Sequence, residues 1–395
     1  MATSKLRRTR IVCISDTHNS TVKLPKGDVL IHAGDLTNQG SYSEASFTDV
    51  KWLEAADFEA KIVVAGTASA PGRDSSTISR LDVGNHDITL DSAFYNEHGP
   101  SFHNQNPQSQ EACLALLTSS RSITYLSHAS ATIRLASPAG PHTEFAVFGS
   151  PFSPRHGLWA FCYDAPQNPA SGLTALWGCM PLATDVVVTH TPPRTHRDER
   201  DGHRAGHLDG HPAAGCEALR RALWRVRPRL AVCGHIHDGR GAERVTWDLD
   251  GGRGLAYGED RVLPWTDPGE GNNKLSLVDL TGRRAPALAN DGSDQSRPHL
   301  AASHPPKPPS RSASSPGTTH PNVAGSSSAG MGDPSSPLCD REALVGRMGR
   351  RETCVVNAAI VKSRHPHIGG KQFYKPIVVD LDLPVWEERV AVRDT

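Results

Sequence analysis

Five short motifs in the chain carry side chains that can bind metal ions, and each motif follows a short apolar run. In chain order they are Asp16-Thr17-His18, Gly34-Asp35, Gly84-Asn85-His86-Asp87, Thr189-His190-Thr191 and Gly234-His235-Ile236-His237. Their carboxylates, amide and imidazoles form a mixed oxygen and nitrogen donor set, which suits divalent Mn, Fe, Zn, Co or Ni better than Ca or Mg. The set is large enough for two metal ions bridged by one carboxylate, and such a pair can hold both oxygens of a phosphoryl displacement.

The apolar runs before these motifs are predicted to be strands of an α/β fold, because runs that are apolar throughout suit strands buried on both faces. The predicted strands are 10–15, 28–33, 61–65, 145–148, 185–189, 229–233, 274–280, 353–361 and 376–381. Helical patterns over 44–56 and 215–226 lie between some of them. Because ligands gather at the carboxyl ends of strands in open α/β sheets, we expect the five motifs to converge.

The chain is expected to form one interrupted domain. Residues 1–283 form its main part, with an insertion at 67–84 that is either a surface loop or a retained in-frame intron. Residues 284–340 are rich in Pro and Ser and have almost no large apolar residues, so they are predicted to be a disordered insertion. Residues 341–395 contain strand-like sequence again and are expected to complete the same domain.

The composition excludes several classes of protein. The 42 Lys and Arg balance the 42 Asp and Glu, so no strong field exists to hold a nucleic acid or an acidic membrane surface. The eight Cys are scattered without a C-x-x-C pair, which argues against a disulfide framework and a Cys-based zinc site. The apolar run after the basic N-terminal residues is too short for a signal peptide, and no run approaches the ~18 residues of a membrane span. We therefore expect a cytoplasmic protein with reduced thiols.

Taken together, the five motifs resemble those of the calcineurin-like metallophosphoesterase superfamily. The order Asp-x-His, Gly-Asp, Gly-Asn-His-Asp, a lone His and Gly-His-x-His is the same. The segments ISDTHN, LIHAGDLT, GNHDITLD and CGHIHDGRGAE further resemble its branch of metallophosphoesterase-domain proteins of animals and fungi. The resemblance covers about residues 10–283 and 353–384. It implies a two-sheet β-sandwich flanked by helices, in four αββα layers.

The resemblance also implies a role for each motif residue. Asp16, His18 and His237 would hold a first metal ion, Asn85, His190 and His235 a second, and Asp35 would bridge the two. His86 would face the phosphate and protonate or stabilise the leaving oxygen. Asp87 would fix the turn or orient an imidazole. A metal-bridging hydroxide would be the nucleophile, and the metals would be two divalent ions such as Mn, Fe or Zn.

The expected activity is hydrolysis of a small, nucleotide-like phosphomonoester or phosphodiester. The chain reads GDLTNQG and GNHD where serine/threonine phosphatases carry Gly-Asp-x-x-Asp-Arg-Gly and Gly-Asn-His-Glu. Its zero net charge disfavours a long polyanionic substrate. The alternative is a catalytically silent scaffold for protein binding, which the insertion beside Asn85 favours.

Two further features have open interpretations. The Pro repeats of 284–340 could dock a proline-reading domain, although disorder without a partner is the expected case. The histidines of RTHRDERDGHRAGHLDGH are His196, His203, His207 and His211. They are expected to lie in a solvated loop, with a substrate entrance as the alternative.

Overall fold

Helices separate some of the strands, whereas other strands follow one another directly along the chain. The computed structural model describes residues 5–46, 50–65, 86–155, 157–164, 173–198, 214–249, 257–292, 341–344, 347–363 and 370–386. The predicted insertion at 67–84 and Asn85 lie outside the described residues, as do residues 293–340. Within these ranges, no helix combines the length and apolar character needed to cross a bilayer. The cysteines of the described ranges are free thiols.

The strands are β1 (Leu6–Ile14), β2 (Val29–His32), β3 (Ala60–Val64), β4 (Ile123–Leu126), β5 (Ala129–Arg134), β6 (Glu144–Ser150), β7 (Ser153–Pro154), β8 (Cys162–Tyr163), β9 (Val186–Thr189), β10 (Leu230–Cys233), β11 (Gly241–Trp247), β12 (Glu259–Pro264), β13 (Ser276–Asp279), β14 (Glu352–Asn357) and β15 (Ile377–Pro384). The helices are α1 (Tyr42–Glu44), α2 (Val50–Ala55), α3 (Ser92–Phe102), α4 (Gln110–Thr118), α5 (Leu173–Gly178), α6 (Glu217–Val226) and α7 (Arg341–Leu344). Short 3₁₀ turns cover Ile88–Leu90 and His237–Gly239.

Two large sheets contain most of the strands. The first has the order β13-β15-β1-β2-β3-β4, and the second has the order β12-β11-β14-β10-β9-β6-β5. Strands β1 to β4 run parallel to one another, as do β6, β9, β10 and β14. All nine strands predicted from apolar runs are present. The strands missed by the sequence pattern include β5 and β12, which are mostly exposed and so contain no buried apolar run.

The sheets pack face to face, and helices cover their outer faces. Alternation along β1 shows the layering: Ile11 and Cys13 point into the core between the sheets, whereas Val12 and Ile14 pack outward with residues of α2 and α4. Helix α6 covers the outer face of the second sheet, where Leu219 and its apolar neighbours meet β9 and β10. The predicted two-sheet β-sandwich flanked by helices is therefore confirmed.

The segment after residue 340 contributes a strand to each sheet. Strand β14 lies between β10 and β11, and β15 pairs with β1 along its whole length. Residues 284–292, which composition assigns to the disordered insertion, already pack on the domain. Asn290 is buried and donates to the carbonyls of Arg227 and Glu352 at 3.0 and 2.8 Å. The change from packed chain to insertion therefore comes after residue 284.

His196 is buried rather than solvated. Its Nδ1 lies 2.7 Å from Oε1 of Glu243, and its Nε2 lies 3.1 Å from Oε1 of Glu259. Burial opposes the charge of the imidazole, but the two carboxylates outweigh burial and raise its pKa to about 9. The prediction of a solvated loop is thus wrong at this residue, because strands β11 and β12 supply the compensating charges. The other three histidines of that stretch lie outside the described residues.

Replacing His196 with Gln is expected to remove a pH-dependent stabilisation. The folded-state pKa near 9 lies above the ordinary histidine value of 6.5. The stabilisation is therefore complete below pH 6.5 and is lost as the pH rises through 9. We expect the free energy of unfolding of the wild-type chain to exceed that of His196→Gln by about 3 kcal/mol at pH 6. Urea unfolding of both chains at pH 6, 8 and 10 measures this difference, and a difference that grows with pH would contradict the assignment.

Candidate metal centre

The candidate ligands lie at the carboxyl ends of neighbouring parallel strands, as expected from the motif spacing. Asp16 and His18 follow β1, Asp35 follows β2, and His190 follows β9 in the other sheet. His235 and His237 follow β10, which lies beside β9. Backbone hydrogen bonds connect these loops: Asp16 N donates to Gly34 O at 2.9 Å, and Gly234 N donates to His190 O at 2.9 Å. The two sheets therefore bring their ligand-bearing ends to one place.

The loops adopt a backbone conformation that side-chain-bearing residues rarely take. Asp16, His18, Asp35 and His235 have φ values of 58°, 46°, 54° and 68°. Such conformations cost about 1–3 kcal/mol each, persist only when surrounding contacts enforce them, and cluster at functional sites. Gly34 is also in this region, and a Cβ there would lie 2.4 Å from Nδ1 of His190. The loop after β2 therefore needs glycine to let His190 approach.

The first cluster contains Asp16, His18 and His237. One ligand atom from each of the three lies within 4.8 Å of the others. Nε2 of His237 is 3.4 Å from Oδ1 of Asp16, and the rings of His18 and His237 are 5.6 Å apart. These are the three residues that the family resemblance assigns to one metal ion.

Asp35 lies between His18 and His190, which follow strands of different sheets. Its Oδ2 is 3.7 Å from Nε2 of His18, and its Oδ1 is 3.5 Å from Nε2 of His190. In a second group, formed by Asp16, Asp35 and His190, one ligand atom from each residue again lies within 4.8 Å of the others. Asp35 thus directs one oxygen toward His18 of the first group and the other toward His190 of the second.

The remaining predicted residues are arranged differently. The ring of His235 lies 5.0 Å from that of His190, but His235 joins none of the ligand groups found among the described residues. Asn85 lies outside those residues. His86 forms a third group with His18 and Asp35, and its ring is 4.7 Å from that of His18. Geometry alone therefore allows His86 to be either a ligand or a group that faces the substrate.

The donor set fits divalent cations. Eleven buried side-chain atoms of the described residues have no hydrogen-bond partner, and three of them, Asp35 Oδ2, His190 Nε2 and His237 Nε2, belong to these ligand groups. Buried polar atoms are nearly always satisfied, because leaving one unmet costs about 1–3 kcal/mol. All three point into one cluster of carboxylates and imidazoles, the ligand types that Mn, Fe and Zn prefer. Bound cations would satisfy these atoms.

The protonation states of the two carboxylates and of His18 suit metal binding. Burial opposes the charge of Asp16, but His237 and His190 beside it lower its pKa to about 2. Burial likewise opposes the charge of Asp35, but His190 and His18 hold its pKa well below the usual range. Burial, together with the neighbouring His86, lowers the pKa of His18 to about 3. Ionised carboxylates and a neutral imidazole are the forms that bind a cation. Burial opposes the charge of His190 and His237, but Asp35 raises the pKa of His190 to about 9 and Asp16 raises that of His237, so each of these imidazoles would release a proton on binding a cation.

Hydrogen bonds made on the side away from the cluster orient the candidate ligands and the loops that carry them. Nδ1 of His190 donates to the carbonyl of Ala33 at 2.8 Å, which leaves Nε2 to face Asp35. Asp87 does not face the cluster. Its carboxylate accepts from Thr37 N and Thr37 Oγ1 at 3.0 and 2.7 Å and from Leu36 N at 3.3 Å. Asp87 therefore connects its own turn to the loop that carries Asp35.

Sequence reasoning missed several residues around the cluster. The ring of Trp159 lies 4.8 Å from that of His86, and Nζ of Lys371 donates to His18 O at 2.7 Å. Arg197 and Asn357 bond to the loop that carries His235 and His237. Asn357 had a usable signal, because it is a polar residue that directly follows an apolar run, as the metal-binding motifs do. Trp159 had none.

Comparisons with known proteins give the family of the chain. The family model described as calcineurin-like phosphoesterase matches residues 9–239. "Probable rhamnogalacturonate lyase C" of Emericella nidulans is 38% identical over 242 residues, which cover 61% of this chain and 18% of that protein. "Metallophosphoesterase domain-containing protein 1" of Homo sapiens is 34% identical over 247 residues, which cover 59% of this chain and 62% of that protein. The chain therefore spans less than two thirds of the length of either relative.

Among solved structures, the protein TT1561 of Thermus thermophilus aligns at a TM-score of 0.33 and 12% identity, over 61% of this chain and 84% of that one. A TM-score and a sequence identity this low support no conclusion about function. The family match covers more than half of the chain and contains all the predicted ligands. The chain belongs to the calcineurin-like phosphoesterase family.

Proposed function

We propose that this protein hydrolyses a small phosphomonoester or phosphodiester with two divalent metal ions. One observation carries the proposal: three buried ligand atoms without hydrogen-bond partners, on Asp35, His190 and His237, converge on one cluster. A protein that used the fold only as a scaffold would gain nothing from keeping this costly arrangement. The cluster therefore favours the enzyme over the silent scaffold.

In this proposal Asp16, His18 and His237 hold one ion and Asp35 bridges to the other. His190 and His235, whose rings are 5.0 Å apart, hold the second ion together with Asn85. The mixed oxygen and nitrogen ligands favour Mn, Fe or Zn. Two such ions, when bound, polarise the phosphoryl group and lower the pKa of a water molecule toward neutrality.

His86 is proposed to protonate the leaving oxygen. Its Nδ1 donates to the carbonyl of Asn38, so Nε2 is the nitrogen free to give a proton to the substrate. Its backbone N donates to Oδ1 of Asp35 at 3.0 Å, which holds it at a set position beside the bridging carboxylate. The hydrogen bond to Asn38 fixes one proton on Nδ1, so the proton that the ring would give to the leaving oxygen is a second one, carried by Nε2.

A row of aromatic rings, formed by Trp159, Phe102 and Phe94, begins beside His86 and indicates a class of substrate. The ring of Trp159 lies 4.8 Å from His86 and 5.2 Å from Phe102, and Phe102 lies 5.9 Å from Phe94. Trp159 and Phe102 are half-buried. If His86 protonates the leaving oxygen, the organic group on that oxygen lies beside these rings. This supports a small ester with a planar group, and the zero net charge disfavours a long nucleic acid.

Replacing Trp159 with Ala is expected to lower kcat/KM for phenyl phosphate about 2- to 10-fold relative to glycerol phosphate. The reason is that an aromatic pair contributes about 0.5–1.5 kcal/mol beyond area burial. Release of inorganic phosphate measures both substrates in one assay. Trp159→Phe is the matched control and should retain most of the preference. An unchanged ratio in Trp159→Ala would place the organic group elsewhere.

The proposed function is tested by metal analysis and turnover of the purified full chain. We expect about two Mn, Fe or Zn ions per chain and hydrolysis of bis(p-nitrophenyl) phosphate. Chelation should abolish this hydrolysis, and Mn²⁺ should restore it. A protein that binds no divalent ion and does not hydrolyse phosphoesters would instead support the scaffold. A cytoplasmic location stays a prediction that fractionation of cells can check.

A further inference from the structure

Asn357 lies beside the loop that carries two of the candidate ligands. It is the last residue of β14 and is paired in register with Cys233, the last residue of the parallel strand β10. The side chain of Asn357 is fully buried. It therefore occupies the carboxyl end of a strand next to His235, in the same kind of position as the motif residues.

The amide of Asn357 binds three backbone carbonyls. Nδ2 donates to Ile236 O at 2.9 Å, to Arg197 O at 3.0 Å and to Gly234 O at 3.4 Å. Oδ1 accepts from Ala359 N at 3.1 Å. Because carbonyls only accept, the amide nitrogen must face the loop, and no other uncharged side chain of this size offers two such donors.

Arg197 completes the contact from the loop after β9. Its Nε donates to Gly239 O at 2.9 Å, and its Nη2 donates to Arg240 O at 2.7 Å. A Cβ at Gly239 would lie 2.1 Å from Arg197 O and 2.9 Å from Nδ2 of Asn357. The turn, the arginine and the asparagine are thus packed without space between them.

These bonds hold a strained ligand residue in place. His235 has a φ of 68°, and the carbonyls that precede and follow it, those of Gly234 and Ile236, are the ones that Asn357 binds. Its backbone N also donates to both carboxylate oxygens of Asp16 at 3.1 Å. Strained conformations persist only where surrounding contacts enforce them. Without Asn357 the peptide units around His235 would be free to relax.

We propose that Asn357 and Arg197 are positioning residues for the metal centre. They hold the turn of residues 234–240 so that His235 and His237 face the ions, and this inference rests on the proposed function. Asn357 belongs to the segment that follows the Pro-rich insertion, beyond the residues 9–239 that match the family. Metal affinity therefore depends on residues from both sides of the insertion, with Arg197 before it and Asn357 after it.

The test is Mn²⁺ titration of the full chain by calorimetry after chelator treatment. In Asn357→Asp a carboxylate of nearly the same shape replaces the donor and repels the carbonyls. We expect Mn²⁺ to bind about 10- to 100-fold more weakly than in wild type, the usual effect of residues that orient metal ligands. The result that overturns the inference is wild-type Mn²⁺ affinity in Asn357→Asp.

Asn290→Asp is the matched control, because Asn290 is also a buried asparagine whose Nδ2 donates to two carbonyls, those of Arg227 and Glu352. It should lower the stability of the metal-free chain by a similar amount and leave Mn²⁺ affinity unchanged. An equal loss of affinity in both variants would reduce Asn357 to a general structural role and overturn the inference.

Arg197→Met keeps the inference testable if Asn357→Asp does not fold. It removes the donors to Gly239 and Arg240 but retains side-chain volume, and we expect weaker Mn²⁺ binding in the same direction. Wild-type affinity in this variant contradicts the role of Arg197. Failure of the wild-type chain itself to bind Mn²⁺ would overturn the proposed function together with this inference, so the two failures are distinguishable.

Discussion

Asp35→Asn is expected to empty both metal positions and to reduce phosphoester hydrolysis to the uncatalysed rate. Asp35 directs one oxygen toward His18 and the other toward His190, at 3.7 and 3.5 Å. Asparagine has the same shape but loses the negative charge and one acceptor oxygen, so it can serve neither ion as a bridge. The loss of affinity should exceed the roughly 10- to 100-fold effect of residues that only orient ligands. Metal content per chain and turnover of bis(p-nitrophenyl) phosphate measure it.

Asp380→Asn is a suitable control for a buried carboxylate in the same sheet. Asp380 lies on β15 and accepts from Nε and Nη2 of Arg10 at 2.7 and 2.8 Å. This variant should lose some stability but keep both metal ions and its activity. If Asp35→Asn released one ion and kept the other, Asp35 would be a ligand of a single metal rather than a bridge.

His86→Ala is expected to keep both metal ions and to lose about 10²- to 10⁴-fold in turnover, the usual contribution of a general acid. The position of His86 makes this measurement decisive. Its ring lies 4.7 Å from that of His18, and it forms a group with His18 and Asp35 whose geometry would also allow it to be a ligand. Metal analysis of the variant, alongside kcat, separates the two roles.

His98→Ala is the matched control for His86→Ala. His98 lies on α3 at the end of the row of aromatic rings that is farther from His86, with its ring 4.8 Å from that of Phe94. It should retain metal and activity. If His86→Ala lost a metal ion instead, His86 would be a ligand and another group would have to protonate the leaving oxygen.

Local pattern was enough to predict the strands that carry the site. The runs before Asp16, Asp35, His190 and His235 are buried on both faces and mostly apolar, so each run can be recognised without knowledge of its partner strands. Strand β12 was missed because it lies at the edge of a sheet and is mostly exposed. His196 was misplaced because Glu243 and Glu259, which compensate its charge, lie on distant strands.

Composition assigned residues 284–292 to the insertion, although the buried Asn290 bonds to chain on either side of it. A segment with few apolar residues can pack when its polar groups find partners, and those partners are not readable from the segment itself. The same limit applied to Asn357, whose three carbonyl partners belong to residues 121 to 160 positions away.

The amino-acid sequence by itself determined the buried strands and the polar residues at their carboxyl ends, and hence the candidate ligands, because each depends on side chains adjacent along the chain. Tertiary structure alone decided that Asp35 lies between His18 and His190, that Trp159 borders His86, and that Asn357 holds the turn around His235. Those relations depend on how parallel strands of two sheets are aligned and on backbone conformations that only long-range contacts can enforce.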